Sequence, residues 1–595
     1  MDGSLTPRTP LRLWPGVAAA IALVVLRFVL PAVIPDAILI GLLGGLVCAV
    51  IILVWWLFFS RAPWLERLGA ILVMVASLLV ARQIVDVSIR GGMMGMMLPV
   101  FSVFILPPVL VLWAVVTRGR SDIVRRAAMV VMLFGAVASF GLLRTNGVWG
   151  GGADLEWRWT PTAEERLLAA PEEKMTPPPA PTAPTVADAV PSVTPVPSAP
   201  SVPSVASASP SSSADARWPG FRGPDRDSVI RGVTINTDWT TSPPVEVWRR
   251  AIGPGWSSFA VVGDRIYTQE QRGEDEIVAC YNLNTGAPIW RHRDPVRFWE
   301  SNAGAGPRGT PTVSNGRVYA FGATGLVNAL DAATGSRIWS HNAAADTSTE
   351  VPMWGFSSSP LVIDDVVIVT TAGTLVAYGA GNGQLRWKGP ARGGGYSSPH
   401  RVTIDGVVQV VQLSGAGATS VAPADGTVLW THDWEGGIVQ PAVTSDDHIL
   451  ITNAGMTGGQ GMRKLAVARG ASGWTVEERW TSNGLKPYFN DYVVHKGHAY
   501  GFDGNILAAI DLADGKRKWK GGRYGEGQLV LLADQDLLLV LSEEGDVALV
   551  NAAPDQYKEV ARFTAIEGKT WNHPVVVGNL LLVRNGEEMA AFRLK

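Results

Sequence analysis

Residues 329–339, ALDAATGSRIW, decide the fold. A short apolar run ends at Asp331, a turn follows at Thr334-Gly335, and a second short strand closes on Trp339. Thr-Gly, Asn-Gly and Asp-Gly pairs between alternating apolar and polar residues mark hairpin turns. The same form returns as TGAPIW (285–290), NGQLRW (382–387), DGTVLW (425–430) and DGKRKW (514–519), with looser copies ending at Trp248, Trp480 and Phe563. The anchors at 248, 290, 339, 387, 430, 480, 519 and 563 stand 42, 49, 48, 43, 50, 39 and 44 residues apart. A period of about 40–50 residues with four short strands suits one blade of a β-propeller. Seven anchors after Trp248 close seven blades, and the strands in HPVVVGN, LLLVRN and EMAAFRL after Phe563 lack an outer partner. The segment PPVEVWRR supplies it, which joins the two ends of the repeat region in one blade and removes the free edge. The expectation is an all-β, eight-bladed propeller over 217–595.

Upstream of the repeats the composition changes twice. Residues 171–216 are Pro, Ala, Ser, Thr and Val with almost no charge, as in PPPAPTAPTVADAVPSVTPVPSAPSVPSV. Such a stretch buries no core and favours extended polyproline-II spacers, giving a tether that reaches well over ~100 Å if fully extended. Just before it, Thr162 to Glu165 in TPTAEERLLAA reads as a capping box opening one short amphipathic helix, so 146–216 is a helix plus a disordered linker. Residues 1–145 hold five apolar stretches, 13–35, 37–59, 67–87, 92–117 and 123–144. Each meets the length of about 20 apolar residues that a membrane helix needs. The first is expected to stay in the membrane, because four more follow it without a small-residue cleavage site.

Arginine placement orients the bundle. Arg8, Arg12, Arg61, Arg67, Arg118, Arg120, Arg125 and Arg126 fall on one side. The other side has Asp36, Arg82, Arg90 and Arg144. The N-terminus is then cytoplasmic, and an odd number of spans puts the propeller in the periplasm of a bacterial inner membrane. Arg27 inside the first span reads either as a functional buried charge or as one paired within the bundle. Lys plus Arg (50) nearly balances Asp plus Glu (52), so no nucleic-acid partner is implied.

The pattern A-x-D-x-x-T/D-G-x-x-x-W, clearest in 329–339, resembles the tryptophan-docking motif of the pyrroloquinoline-quinone-like (PQQ-like) propeller superfamily, which includes quinoprotein dehydrogenases and BamB-like assembly factors. The resemblance covers about 217–595. It implies a structural docking role for Trp248, Trp290, Trp339, Trp387, Trp430, Trp480 and Trp519, each ring packing between blades with its N–H on a backbone acceptor. Two functions follow from it. One is a membrane-anchored binding or scaffold module with envelope proteins as partners. The other is a membrane-bound dehydrogenase of sugars or alcohols that uses PQQ and Ca²⁺ and passes electrons to ubiquinone. The dehydrogenase needs a Glu/Asn metal pair, a cation beside the quinone, an Asp base and an aromatic platform.

Ligands of propellers sit in the axial funnel, where the innermost strand of each blade begins. The candidates there are Trp256, Ser257 and Ser258; Arg308 and Thr310; Trp354, Phe356 and Ser358; Tyr396 and Ser398; Gln440; Phe489, Asn490 and Asp491; Glu526 and Gln528; Trp571, Asn572 and His573. Asp491 is the candidate base and Arg308 the cation. Against the enzyme stand compact blades of about 45 residues without long inserted loops, the absence of an adjacent Cys-Cys pair, and Glu300/Asn302 as the only suggestive metal pair. Against a BamB-like role stand the five spans, since those proteins are lipoproteins. His495 and His498 in HKGH flank a hairpin turn and lack a third ligand, so no metal site is expected. Cys280 aligns with Ala329 as a small core residue. The glycines at 393–395 and 458–461 lack the context of a phosphate loop.

Overall fold

The computed structural model describes residues 11–171, 173, 175 and 216–595, apart from 35–36, 150–151, 437–440, 442, 446–447 and 454–458. Arg8, Asp36, Gln440, the Pro-rich stretch and part of the 458–461 glycine cluster lie outside the described residues. The chain divides into two compact units, Met1–Pro161 with Trp299–Gly304, and Thr162–Phe298 with Ala305–Lys595.

In the first unit, five helices are long and apolar enough to cross a membrane: Trp14–Val33, Ile38–Phe59, Trp64–Ile84, Met97–Val116 and Asp122–Leu142. Their outward faces are rich in exposed Leu, Ile and Val, and the inward ones bury Ile52, Trp56, Leu110, Trp113 and Leu133. Glu66 and Arg125 pair inside this unit at 2.9 Å. The Trp113 ring lies under the Arg125 guanidinium at 5.2 Å and its N–H donates to the Arg125 carbonyl. Arg27 sits in a π-helical turn, Val25–Val29, with its guanidinium 5.2 Å from the Phe104 ring and 5.6 Å from Phe28. A β-hairpin, Leu143–Trp149 with Gly152–Trp157, ends the unit and holds the Arg144–Glu156 ion pair.

The second unit is an eight-bladed propeller. Blade two shows the pattern: Thr312–Ser314, Arg317–Phe321, Leu326–Asp331 and Arg337–Asn342 form one antiparallel sheet in sequence order. Strands 1 to 4 of each blade run outward from the axis, so first strands begin at the same end as the turns between second and third strands. That end is called the mouth below. In blade eight, Val575–Val577, Leu580–Arg584 and Glu588–Arg593 pair outward to Val245–Ala251, with Ala591 opposite Trp248. The ring is thus closed by the strand around Trp248, and no blade keeps an unpaired fourth position.

The repeated Gly and Trp form one device split across two blades. The indole N–H groups of Trp248, Trp290, Trp339, Trp387, Trp480 and Trp519 donate to the carbonyls of Leu283, Ala332, Ala380, Pro423, Leu512 and Ala553, at 2.8–3.1 Å, each in the turn of the next blade. In five of these six turns a glycine with positive φ lies against the ring, the turn at Ala553 having Tyr557 against Trp519 instead: a Cβ on Gly383 (φ +71) would sit 2.7 Å from Trp339, and one on Gly335 (φ +73) 2.4 Å from Trp290. Glycine is therefore required twice, for the turn and for the ring above it. Trp430 departs from the pattern, because blade five turns through Gly470–Gly473 and offers no such carbonyl; its N–H donates to Gln409 Oε1 of its own blade at 2.7 Å. Phe563 has no donor and packs edge-on against Trp239 and Phe592 instead. Cys280 is a buried free thiol in the blade-one core, and Lys496-Gly497 form a hairpin turn with positive φ.

Candidate functional site

First strands carry small polar residues at their start because the axis is narrow and each backbone N–H there needs an acceptor. These residues form a hoop around the axis. Ser258 N–H donates to Thr310 Oγ1 (3.0 Å), Thr310 N–H to Ser359 Oγ (3.0 Å) and Ser359 N–H to Ser398 Oγ (2.9 Å), linking blades one to four. On the far side Asp491 N–H donates to Gln528 Oε1 (2.9 Å), and Gln528 Nε2 donates to the Trp571 and Phe489 carbonyls. Asn572 Nδ2 donates to the Ser257 carbonyl (2.8 Å), and Ser258 Oγ to the His573 carbonyl (2.7 Å), closing blade eight on blade one. Ser258, Thr310, Ser398, Gln528 and Asn572 are thus stitches between blades, and Ser358 Oγ accepts the Thr370 N–H within blade three.

An additional element, unforeseen from the repeats, fills the axis beneath the hoop. Residues 216–230 enter as a strand, Ala216–Trp218, paired with Ala260–Val262 of blade one. They leave as Val229–Ile230, parallel to the first strand of blade seven. Between these ends Arg222 reaches Asp491: Nη2 lies 3.0 Å from Oδ1 and Nε donates to Oδ2 at 3.0 Å, both side chains fully buried. Ser228 Oγ and the Tyr492 N–H also donate to Asp491, and Arg222 Nη2 donates to the Tyr492 carbonyl. Arg226 donates to the Pro360 and Ser359 carbonyls of blade three. The strap thereby ties opposite sides of the ring. Its backbone is strained to do so, with φ of +63 at Arg222, +54 at Arg226 and +60 at Ser228. The visible hint was WPGFRGPDRDS, a turn-rich run with two arginines just before the first blade.

The strap sets the electrostatics of the axis. Burial, with the Arg222 and Arg226 charges, pushes His400 down to about 3, and burial pushes His573 down to about 4, so both are neutral near pH 7. Burial and the Arg222 charge bring Arg226 down to about 9, still a cation at neutral pH. His573 stands edge-on to Phe221 of the strap, with Nδ1 3.6 Å from Asp491 Oδ2.

Above the hoop the mouth is aromatic. Trp256 and Trp571 pack at 4.8 Å, Trp571 and Phe489 at 4.9 Å, Phe489 and Tyr488 at 5.1 Å, Tyr488 and Trp354 at 6.3 Å, and Trp354 and Tyr396 at 5.2 Å. All of these rings are partly exposed. Lys569 Nζ lies 4.2 Å over Trp571 and 5.3 Å over Trp256. Glu543 accepts the Trp571 N–H (2.8 Å), and Glu526, bonded by Asn490 Nδ2, is pushed up to about 7 by burial and by Glu543. Phe356 does not join this surface: it is 1% exposed and packs on Phe321 in the core between blades two and three. Tyr488 and Lys569 also belong to the mouth and were not among the residues expected there.

A family model described as outer membrane protein assembly factor BamB matches residues 242–418 and 414–594. The chain belongs to this family. The BamB of Yersinia pestis is 24% identical over 322 residues, spanning 51% of this chain and 70% of that protein. The BamB of Moranella endobia is 27% identical over 248 residues, 38% of this chain and less than two thirds (62%) of that protein. Similar solved structures include BamB from Moraxella catarrhalis (16% identity, 59% of this chain, 98% of that one, TM-score 0.44). The quinohemoprotein alcohol dehydrogenase of Comamonas testosteroni is another (13% identity, 64% and 81%, TM-score 0.47).

The residues of this BamB-family chain do not fit PQQ. Asp491, the candidate base, has both oxygens engaged by Arg222, Ser228 and the Tyr492 N–H. Arg308 donates Nε to the Trp354 carbonyl and lies 4.7 Å over Phe298, braced by its own loops. Glu300 accepts the N–H groups of Asn302 and Ala303 and so caps its own turn. Trp256 and Trp571 pack on each other and leave no slot between them for a planar ring. Among the described residues no three His, Cys, Asp or Glu side chains gather as a metal site; His495 bonds Asp536 at 2.5 Å, beside Lys496.

Proposed function

We propose that this chain is a binding module of the bacterial envelope, anchored in the inner membrane by its five apolar helices with the propeller in the periplasm. Its partner is an extended protein segment bearing apolar side chains, which the aromatic mouth receives. The carrying observation is the pairing of two layers: a mouth of partly exposed Trp, Tyr and Phe over a hoop whose polar groups already bond one another. Such a surface offers area at low side-chain entropy cost and little reactive chemistry. Family membership points the same way, since the family's description is that of an assembly factor.

The test is photocrosslinking in intact membranes. A crosslinking residue at Trp354 or Tyr396 is expected to trap a discrete partner, and Trp571→Ala is expected to abolish that adduct, whereas a probe at Val428 on the outer strand of blade four traps none. Equal adducts from all three probes, or none from the mouth, would sink the proposal. Dye-linked alcohol or sugar oxidation by the full chain after loading with PQQ and Ca²⁺ would replace it with the dehydrogenase reading.

A further inference from the structure

The segment that follows the apolar helices meets the propeller before the Pro-rich stretch begins. Thr162 caps the helix Ala163–Ala169: its hydroxyl accepts the Glu165 N–H at 3.0 Å, and the Glu165 carboxylate accepts the Thr162 N–H at 2.6 Å. This box fixes the helix start and leaves the neighbouring Glu164 for another task. Glu164 Oε1 accepts from the Gly273 N–H (2.8 Å) and from Arg297 Nη1 (2.7 Å), while Oε2 accepts from Arg297 Nη2 (2.8 Å). Arg297 also donates to the Gly273 carbonyl, so carboxylate, guanidinium and turn form one closed unit. The Glu164 side chain is 14% exposed. A bidentate Arg–carboxylate pair that also satisfies a backbone N–H is the strong form of such contacts.

The neighbouring charges match in the same sense. Arg166 stands 3.9 Å from Glu587, and Glu173 accepts from Arg250 at 2.5 Å and lies 3.9 Å from Arg291. A Cβ on Gly273 (φ +59) would lie 3.5 Å from Leu168, so the helix packs onto the bare glycine turn. Gly273 lies in the turn between the second and third strands of blade one, and Glu587 in the equivalent turn of blade eight. Both turns belong to the mouth end, where the aromatic residues are.

We propose that residues 162–171 and 173 are a latch whose docking surface is the mouth end of blades eight and one, with Glu164 and Arg297 at its centre. The propeller then holds the chain on both sides of the covalent link between Glu173 and Ala216. Cutting that link does not free the propeller from the part of the chain that precedes it.

The experiment uses the full chain in detergent, with an affinity tag at the N-terminus and a site-specific protease sequence inserted after Ser198. Working in detergent keeps the result independent of membrane anchoring. After complete cleavage and dilution, the tagged fragment is captured and the propeller fragment that accompanies it is quantified. At low salt the propeller is retained, and Glu164→Arg lowers retention roughly tenfold, the loss expected when one member of a partly desolvated charge pair is reversed. The double exchange Glu164→Arg with Arg297→Glu restores retention, which excludes misfolding as the cause. Immediate release of the unmodified propeller on cleavage, or equal retention in Glu164→Arg, overturns the proposal.

Discussion

Replacing Asp491 by Asn tests whether the strap, rather than catalysis, is the business of this carboxylate. The substitution keeps the shape and removes the charge, leaving the Arg222 guanidinium buried without its ion pair; both side chains are 0% exposed in the folded chain. Breaking a buried pair by removing one partner costs about 3–5 kcal/mol. With an unfolding entropy of about 2.1 cal/mol/K per residue, a propeller of about 380 residues has about 0.8 kcal/mol/K, so the melting temperature should fall by about 4–6 °C. The assay is tryptophan fluorescence of the full chain in detergent, heated at one fixed scan rate, because unfolding of large chains is commonly irreversible. The double variant Arg222→Met with Asp491→Leu removes both charges and should lose less than the single variant. A shift below about 1 °C for Asp491→Asn, or a double variant as destabilised as the sum of its parts, would refute the reasoning.

Trp339→Ala should cost about 3–5 kcal/mol by equilibrium denaturation, through the lost ring and its bond to the Ala380 carbonyl. Gly383→Ala should also destabilise, and the two together should cost less than their sum, because removing the ring removes the clash at 2.7 Å but not the strain of φ +71. Acid stability should depend on His573. Its folded value of about 4 lies below the ordinary 6.5, so its contribution of about 3 kcal/mol is complete above pH 6.5 and is lost as pH falls toward 4; His573→Gln should flatten that limb in a pH series of melting temperatures. Glu526 works in the opposite direction. Its value near 7, raised from 4.5, means stability is lost as pH rises between those limits, and Glu526→Gln should gain stability at pH 7.5 relative to the parent chain.

The propeller was legible because its determinants are local and repeated. A turn glycine and a Trp four residues later carry a blade-to-blade contact that needs only the next copy of the same motif, so the spacing of the anchors, with Trp290, Trp339 and Trp387 among them, gave blade number and closure together. The closing strand was legible for the same reason, since an outer strand was missing at one end and surplus at the other. The axis was not legible. Arg222 and Asp491 are 269 positions apart and neither lies in a repeated motif, so nothing in the spacing connects them. Glu164 and Arg297 are hidden in the same way, across 133 positions. Residue type misled at Phe356, where an aromatic at a strand start suggested the mouth but its ring fills a core between blades.

That division bears on function. Blades shared across a superfamily fix where a ligand would bind, whereas the chemistry depends on what stands in the axis, and in this chain the axis is claimed by its own residues 216–230. A base must be free to take a proton, yet Asp491 holds Arg222, Ser228 and a backbone N–H at once. Freeing it would require withdrawing a strap hydrogen-bonded to blades one, three, six and seven, including the two short strands at its ends. The cost of that withdrawal exceeds the single ion pair, because strap and ring share their backbone hydrogen bonds. On the proposed function, recognition falls to the surface the strap leaves exposed, the aromatic mouth. The proposed latch and the proposed partner share that end, so an occupant broad enough to reach the Gly273 turn would compete with Glu164 for it, whereas one confined to Trp354 and Tyr396 would leave the latch closed.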